Sequence, residues 1–186
     1  MSPHRFDASN KAFLTDETRR KLQPPGEIIM RANTTPDEVI ADLGCGTGFM
    51  TVPLARRCRT VIALDSQREM LDTLIASLAP ELRPRVHPVL ANLPTLPFAP
   101  ATIDRFVLVN VFHELEDKDR LALEIETSLA PGGRLTLVDF PKRVTSFGPP
   151  LKERMAPEEV LSHFQSLVVI GLWETDEYYQ IELGRL

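Results

Sequence analysis

The segment Asp42-Leu43-Gly44-Cys45-Gly46-Thr47-Gly48 constrains this chain more than any other. It overlaps the end of Val39-Ile40-Ala41-Asp42-Leu43, a run of the kind that forms a buried strand. It precedes Phe49 to Arg57, which reads as a helix with Pro53 in its first turn. Glycines between a strand and a helix let the backbone take positive φ and approach a ligand closely. The helix start also presents unpaired N–H groups. In open α/β sheets, ligands sit outside the carboxyl ends of the strands, near the point where strand order reverses. A glycine-rich turn by itself is also compatible with a plain turn.

The rest of the chain supplies the elements that such a loop needs. Thr60–Asp65, Val86–Leu90, Arg105–Asn110 and Leu135–Asp139 read as four further strands. Pro88 places the third strand at a sheet edge, because proline cannot donate to a ladder. Arg68 to Leu78 carries Met70, Leu71, Leu74, Ile75 and Leu78 on one helical face. Lys118 to Leu129 reads as a helix that stops at Pro131-Gly132-Gly133, and Pro157 suits the first position of a helix over Pro157–Phe164. Strands alternating with helices imply right-handed crossovers and a parallel sheet. Leu167–Leu172 and Tyr178–Leu183 have no room for a helix between them and are expected to pair antiparallel as a terminal hairpin.

A length of 186 residues fits one domain. Asp16–Leu22 and Glu27–Ala32 read as short helices broken by Pro24-Pro25-Gly26. The expected organisation is an N-terminal helical segment over residues 1–34 and one α/β domain over residues 35–186. Phe6, Phe13 and Leu14 make the first segment a candidate cover for a bound ligand.

Asp65 ends the second strand, 17 residues after Gly48. An acidic side chain there can accept both hydroxyls of a ribose; it can also cap the next helix. Glycine loop and strand-end acid together point to a nucleoside ligand. A dinucleotide site usually reads G-x-G-x-x-G and cradles a pyrophosphate. Here the spacing is Gly44-x-Gly46-x-Gly48, with Asp42 beside it. A carboxylate at that place repels a pyrophosphate and suits a ligand with an ammonium group, such as the amino acid part of S-adenosylmethionine.

Composition narrows the partners. The formal net charge of −5 argues against nucleic acid, which needs a basic field. The apolar stretches are strand-length, short of the roughly 20 residues of a membrane span. Met1 to Phe6 has no apolar run behind it, so no secretory signal is read and a cytoplasmic location is expected. Cys45 and Cys58 are too few for a disulfide framework or a cysteine-rich zinc site, so no metal centre is expected.

The chain resembles the class I S-adenosylmethionine-dependent methyltransferases. Within them it is most similar to the small-molecule group that includes quinone-biosynthesis C-methyltransferases and arsenite methyltransferase-like proteins. The matching segments are Val39–Phe49, Val61–Leu71, Ala91–Phe98, Val107–Asp117 and Leu129–Phe140. The resemblance implies a doubly wound, mostly parallel seven-stranded sheet with an antiparallel final strand, S-adenosylmethionine as cofactor, and a small-molecule methyl acceptor. It implies a cofactor site built from Asp42, Gly44, Cys45, Gly46, Gly48, Asp65, Ser66, Met70, Asn92, Leu93 and Asn110. Asn92 stands where the family often has an aspartate for the adenine amine, and an amide oxygen still accepts that hydrogen bond. Leu93 would touch the adenine, and the Asn110 carbonyl would face the ligand's amine. Ser66 and Met70 would neighbour ribose and adenine; Met70 equally fits core packing.

Methyl transfer is an in-line displacement on an already activated carbon, so a base is needed only when the nucleophile must lose a proton. His113, beyond the fourth strand, is the candidate base or acceptor-orienting residue; packing of the next helix is its other reading. The connection Phe140 to Met155 is long enough for a lid, and its Lys142, Arg143, Lys152 and Arg154 either attract an anionic acceptor or form a solvated face. Two cysteines do not make a thiol cluster for arsenic. A noncatalytic cofactor-binding protein and a nicotinamide oxidoreductase are the rival functions.

Overall fold

A computed structural model of the protein describes residues 17–186. Phe6, Phe13 and Leu14, the expected cover, lie outside the described residues. Two short helices come first, α1 (Glu17–Leu22) and α2 (Pro25–Ala32). The strands are β1 (Val39–Leu43), β2 (Thr60–Asp65), β3 (Val86–Leu90), β4 (Ile103–Val109), β5 (Leu129–Asp139), β6 (Val168–Glu174) and β7 (Tyr179–Gly184). The remaining helices are α3 (Thr51–Ala55), α4 (Arg68–Ser77), α5 (Lys118–Ser128) and α6 (Pro157–Leu161).

The strands form one sheet in the order β3-β2-β1-β4-β5-β7-β6. β1 to β5 run parallel. β7 runs antiparallel to both β5 and β6. The order reverses between β1 and β4, which opens a crevice beyond their carboxyl ends. β3 is an edge strand, as Pro88 requires. The terminal hairpin forms, and β7 is the strand that enters against β5. Every residue of β7 is buried, whereas Val168, Val169, Ile170 and Leu172 of β6 are exposed.

Alternation along the strands separates two apolar layers. Ile40, Val61, Val107 and Val138 face the layer of α2, α3 and α4, with Ile28, Leu54 and Leu74. Ala41, Leu43, Phe106, Leu108 and Leu137 face the layer of α5 and α6, with Leu121, Ile125 and Val160. The first layer also holds a buried charge network. Arg105 is fully buried and grips Glu38 with Nε and Nη2 at 2.8 and 3.2 Å. Its Nη1 donates to Thr136 Oγ1 and Glu182 Oε2, both at 3.1 Å. Arg105, Thr136 and Glu182 therefore share one face of β4, β5 and β7.

Several boundaries differ from expectation: α2 begins at Pro25, inside the expected break, β4 runs Ile103–Val109, α6 stops at Leu161 and β6 runs Val168–Glu174; β5 and α3 differ for identifiable reasons. β5 begins at Leu129, so Pro131-Gly132-Gly133 lies inside it. The pairing passes from Ile103↔Leu129 to Arg105↔Arg134, so the extra residues are taken up in a bulge, where Gly132 has φ +76°. α3 is shorter than the 49–57 reading: Arg57 and Cys58 N–H both return to Leu54 O and close the last turn.

Candidate active site

The glycine loop is shaped by its neighbours. Gly44 follows β1 at φ +68°, and a Cβ there would lie 2.5 Å from Val111 Cγ2. The Cys45 N–H donates to Leu64 O at 2.9 Å, which ties the loop to β2. The Gly46 N–H donates to Asp65 Oδ2 at 2.9 Å. A Cβ on Gly48 would lie 2.5 Å from Leu74 Cδ1, so α4 packs onto the loop only because that side chain is missing. Asp65 Oδ1 accepts the Gln67 N–H at 2.9 Å, one residue before α4. Asp65 thus starts α4 and braces the loop at once, and each carboxylate oxygen retains acceptor capacity.

Asp42, at the end of β1, is 2% exposed and accepts a hydrogen bond from Thr51 Oγ1 at 2.5 Å. Burial pushes its carboxyl up to about 7 despite that bond. Burial also pushes the Cys45 thiol up, which leaves its backbone as the useful part.

These groups surround one cavity of about 800 Å³. Ligand pockets span roughly 300–1,000 Å³, so this one lies toward the large end of that range. Asp42, Gly44, Cys45, Gly46, Asp65, Ser66, Met70, Leu93, Asn110 and His113 all line it. Gly48 and Asn92 do not: Gly48 faces α4, and Asn92 is exposed between the lining residues Ala91 and Leu93. Met70 both packs (1% exposed) and lines the wall, so its two readings coexist.

Three contributors escaped the sequence reading. Arg19 of α1 reaches the cavity with its guanidinium carbon 3.9 Å from the centre of the Phe49 ring. Burial, with Arg20 adjacent, lowers its pKa to about 10. In sequence it sits in an ordinary charged helix end and carries no signal. Gln23 exchanges two amide hydrogen bonds with Asn110, at 3.0 and 2.9 Å, and holds Asn110 at φ +61° beyond β4. Asp139 ends β5, 1% exposed, with Oδ1 2.6 Å from His113 Nδ1. Its position at a strand end was the only available clue.

The connection after β5 forms the opposite wall through Phe140, Phe147, Gly148, Pro149, Pro150 and Glu153. Arg154 organises it. Its guanidinium donates to Pro149 O at 2.8 Å, to Arg143 O at 2.5 Å and to Thr145 Oγ1 at 2.8 Å. It also lies 5.4 Å from the Phe140 ring centre. Lys142 pairs with Glu159 at 2.7 Å, and Arg143 donates to Thr175 O. Lys142, Arg143 and Lys152 do not line the cavity, so of the two readings of this segment the attraction of an anion finds no support in the lining. The ionisable lining among the described residues is Arg19 and His113 with Asp42, Asp65, Glu114, Glu116, Asp117 and Glu153.

A doubly wound sheet with a glycine loop at its switch point and an acid closing the next strand defines a nucleoside-binding α/β domain. The particular family follows from comparison: residues 41–137 match the methyltransferase domain family, and the chain belongs to it. An uncharacterized methyltransferase of Mycobacterium tuberculosis is 35% identical over 122 residues, which is 66% of this chain and 47% of that protein. A ubiquinone/menaquinone biosynthesis C-methyltransferase of Wigglesworthia glossinidia brevipalpis is 29% identical over 125 residues, 64% of this chain and 50% of that protein. The chain thus spans about half the length of these curated relatives. The crystal structure of an S-adenosylmethionine-dependent methyltransferase from Aquifex aeolicus superimposes with a TM-score of 0.90. It covers 98% of this chain and 100% of its own at 22% identity, a likeness of fold. Among the described residues no helix is long and apolar enough to cross a membrane.

Proposed function

We propose that this protein is an S-adenosylmethionine-dependent methyltransferase acting on a small molecule. The observation that carries the reading is the convergence of Asp42, the glycine loop, Asp65 and His113 on one cavity of about 800 Å³. The donor set fits the cofactor's chemistry. Asp65 takes the ribose hydroxyls, with Ser66 beside it. The backbone of Gly44, Cys45 and Gly46 lies along the ligand, and Gly48 keeps that backbone in place from below. Met70 and Leu93 flank the adenine, whereas Asn92, exposed outside the lining, is not part of this reading. Asp42 and the Asn110 carbonyl face the ammonium, and Arg19 faces the carboxylate of the amino acid part. When bound, the sulfonium supplies an activated methyl group; the protein's own part is to orient it, exclude water and manage the acceptor's proton. Residues 17–34 act as part of the cover by bringing Arg19 to the cavity and Gln23 to Asn110. A cytoplasmic location and a partner set without nucleic acid are part of the same reading.

Calorimetric titration with S-adenosylhomocysteine, S-adenosylmethionine and NADH tests this. One site for the first two and none for NADH is expected. Gly46→Val places a branched side chain at φ +53°, where backbone must approach the ligand, and should abolish binding in a folded variant. NADH binding without S-adenosylmethionine binding, or unchanged affinity in Gly46→Val, refutes the placement.

A further inference from the structure

Asp139 does more for His113 than one contact. Its Oδ1 meets Nδ1 at 2.6 Å, its Oδ2 accepts the His113 backbone N–H at 3.2 Å, and Oδ1 also accepts the Phe140 N–H at 2.9 Å. An ionised carboxylate only accepts, so in the neutral imidazole Nδ1 carries the proton and Nε2 carries the lone pair. Nε2 is 3.9 Å from Glu114 Oε1, and His113 and Glu114 both line the cavity. This is the arrangement of a base oriented by a third group.

The groups around the imidazole come from every side. Asp139 stands on β5, Glu114 shares the turn Phe112–Glu114, and Lys118 of α5 donates to the carbonyls of His113 and Leu115. Arg154, from the connection, lies within the field of Asp139. Burial lowers the imidazole's proton affinity, Asp139 and Glu114 raise it, Lys118 opposes them, and the balance lies above the ordinary histidine value.

The wall beside this pair is apolar. Phe140 meets the His113 ring at 5.9 Å and the Phe147 ring edge-on at 5.1 Å, with Pro149 and Pro150 beyond. Four carboxylates, Glu114, Glu116, Asp117 and Glu153, also line the cavity. A surface of this sign discriminates against an anion and tolerates a neutral or cationic molecule.

We propose that the acceptor is a neutral or cationic ring compound methylated on a hydroxyl oxygen, with His113 as the base and Asp139 as the positioning residue. The inference rests on the methyltransferase reading above. The hydroxyl gives its proton to Nε2 as the O–CH3 bond forms. The S–CH3 bond breaks, sulfur keeps the electron pair, and the products are a methyl ether and S-adenosylhomocysteine. The imidazolium then returns its proton to water.

The test uses the full chain with S-adenosylmethionine and three acceptors of one size: 4-methylphenol, 4-(aminomethyl)phenol and 4-hydroxybenzoate. Transfer to the oxygen of the first two is expected, with 4-hydroxybenzoate at least about tenfold slower. His113→Gln and Asp139→Asn should lower the rate by roughly 10²–10⁴-fold with S-adenosylhomocysteine affinity nearly constant. Asp139→Asn should also move the acid limb of the pH–rate profile to lower pH, a shift that a packing role would not produce. Imidazole ¹⁵N spectra of the wild type should show the Nδ1–H tautomer. An Nε2–H tautomer, preference for 4-hydroxybenzoate, a C- or N-methyl product, or no transfer by protein that binds S-adenosylhomocysteine overturns the proposal. Protein that does not bind S-adenosylhomocysteine overturns the methyltransferase reading itself.

Discussion

Asp65→Asn changes one atom type at the centre of the proposed cofactor site. The carboxylate now accepts the N–H groups of Gly46 and Gln67, both at 2.9 Å. An amide has one acceptor oxygen and one NH2. Whichever way it turns, one backbone N–H meets a donor. Asp65 is 9% exposed, so water reaches that N–H poorly. Leaving a buried donor unsatisfied costs about 1–3 kcal/mol. For a chain of this size that lowers Tm by roughly 2–12 °C. The effect on the ligand is separate. A ribose hydroxyl bound to a carboxylate makes a charge-assisted bond worth about 1.5–3 kcal/mol, and the neutral amide keeps only part of it. With both ribose hydroxyls affected, affinity for S-adenosylhomocysteine should therefore fall about 10- to 100-fold. Calorimetry and thermal melts on the same preparation read both numbers. A Tm loss with affinity within twofold of wild type would confine Asp65 to bracing the loop and starting α4, and would refute its contact with ribose.

The buried carboxyl of Asp42 titrates near 7 against an ordinary 3.8. The folded chain therefore holds a proton that the unfolded chain releases between those values, and this group's contribution to stability falls as pH rises through that window. Melts from pH 4 to 8 should show the apo wild type losing stability relative to Asp42→Asn; a constant difference would refute the shift. Arg105→Met removes the partner of Glu182, which is 1% exposed, and should cost about 3–5 kcal/mol, or roughly 6–20 °C in Tm. Its distance up β4 from the cavity means that S-adenosylhomocysteine affinity at a temperature where the variant is folded should stay within twofold.

Local pattern carried much of the architecture. The Val39–Gly48 segment, the acid at the end of β2 and the helical stripe of α4 each state their geometry within ten residues or so, because strand and helix periods are properties of neighbouring side chains. Pro88 announced an edge strand, and the short spacer before β7 announced a hairpin, from chain connectivity alone. Strand limits were less legible: a Pro-Gly-Gly run inside β5 looks like an interruption until its partner strand absorbs it as a bulge.

The sequence by itself determined the fold class and the ligand end of the sheet, since a glycine loop and a strand-end acid act through backbone geometry that local sequence dictates; Ser66, Met70, Leu93 and Asn110, which also line the cavity, were legible only through the family resemblance. Only the tertiary structure decided the rest. Arg19 reaches the cavity because α1 packs its guanidinium on Phe49, 30 positions away in the chain. Asp139 faces His113 because β5 lies beside β4, 26 positions on. The cations after β5 look available in the chain, yet Arg154 is spent on loop carbonyls and Lys142 on Glu159, so the wall they frame is apolar with a carboxylate edge. Side-chain partnership across elements depends on register and packing, and no local pattern encodes those.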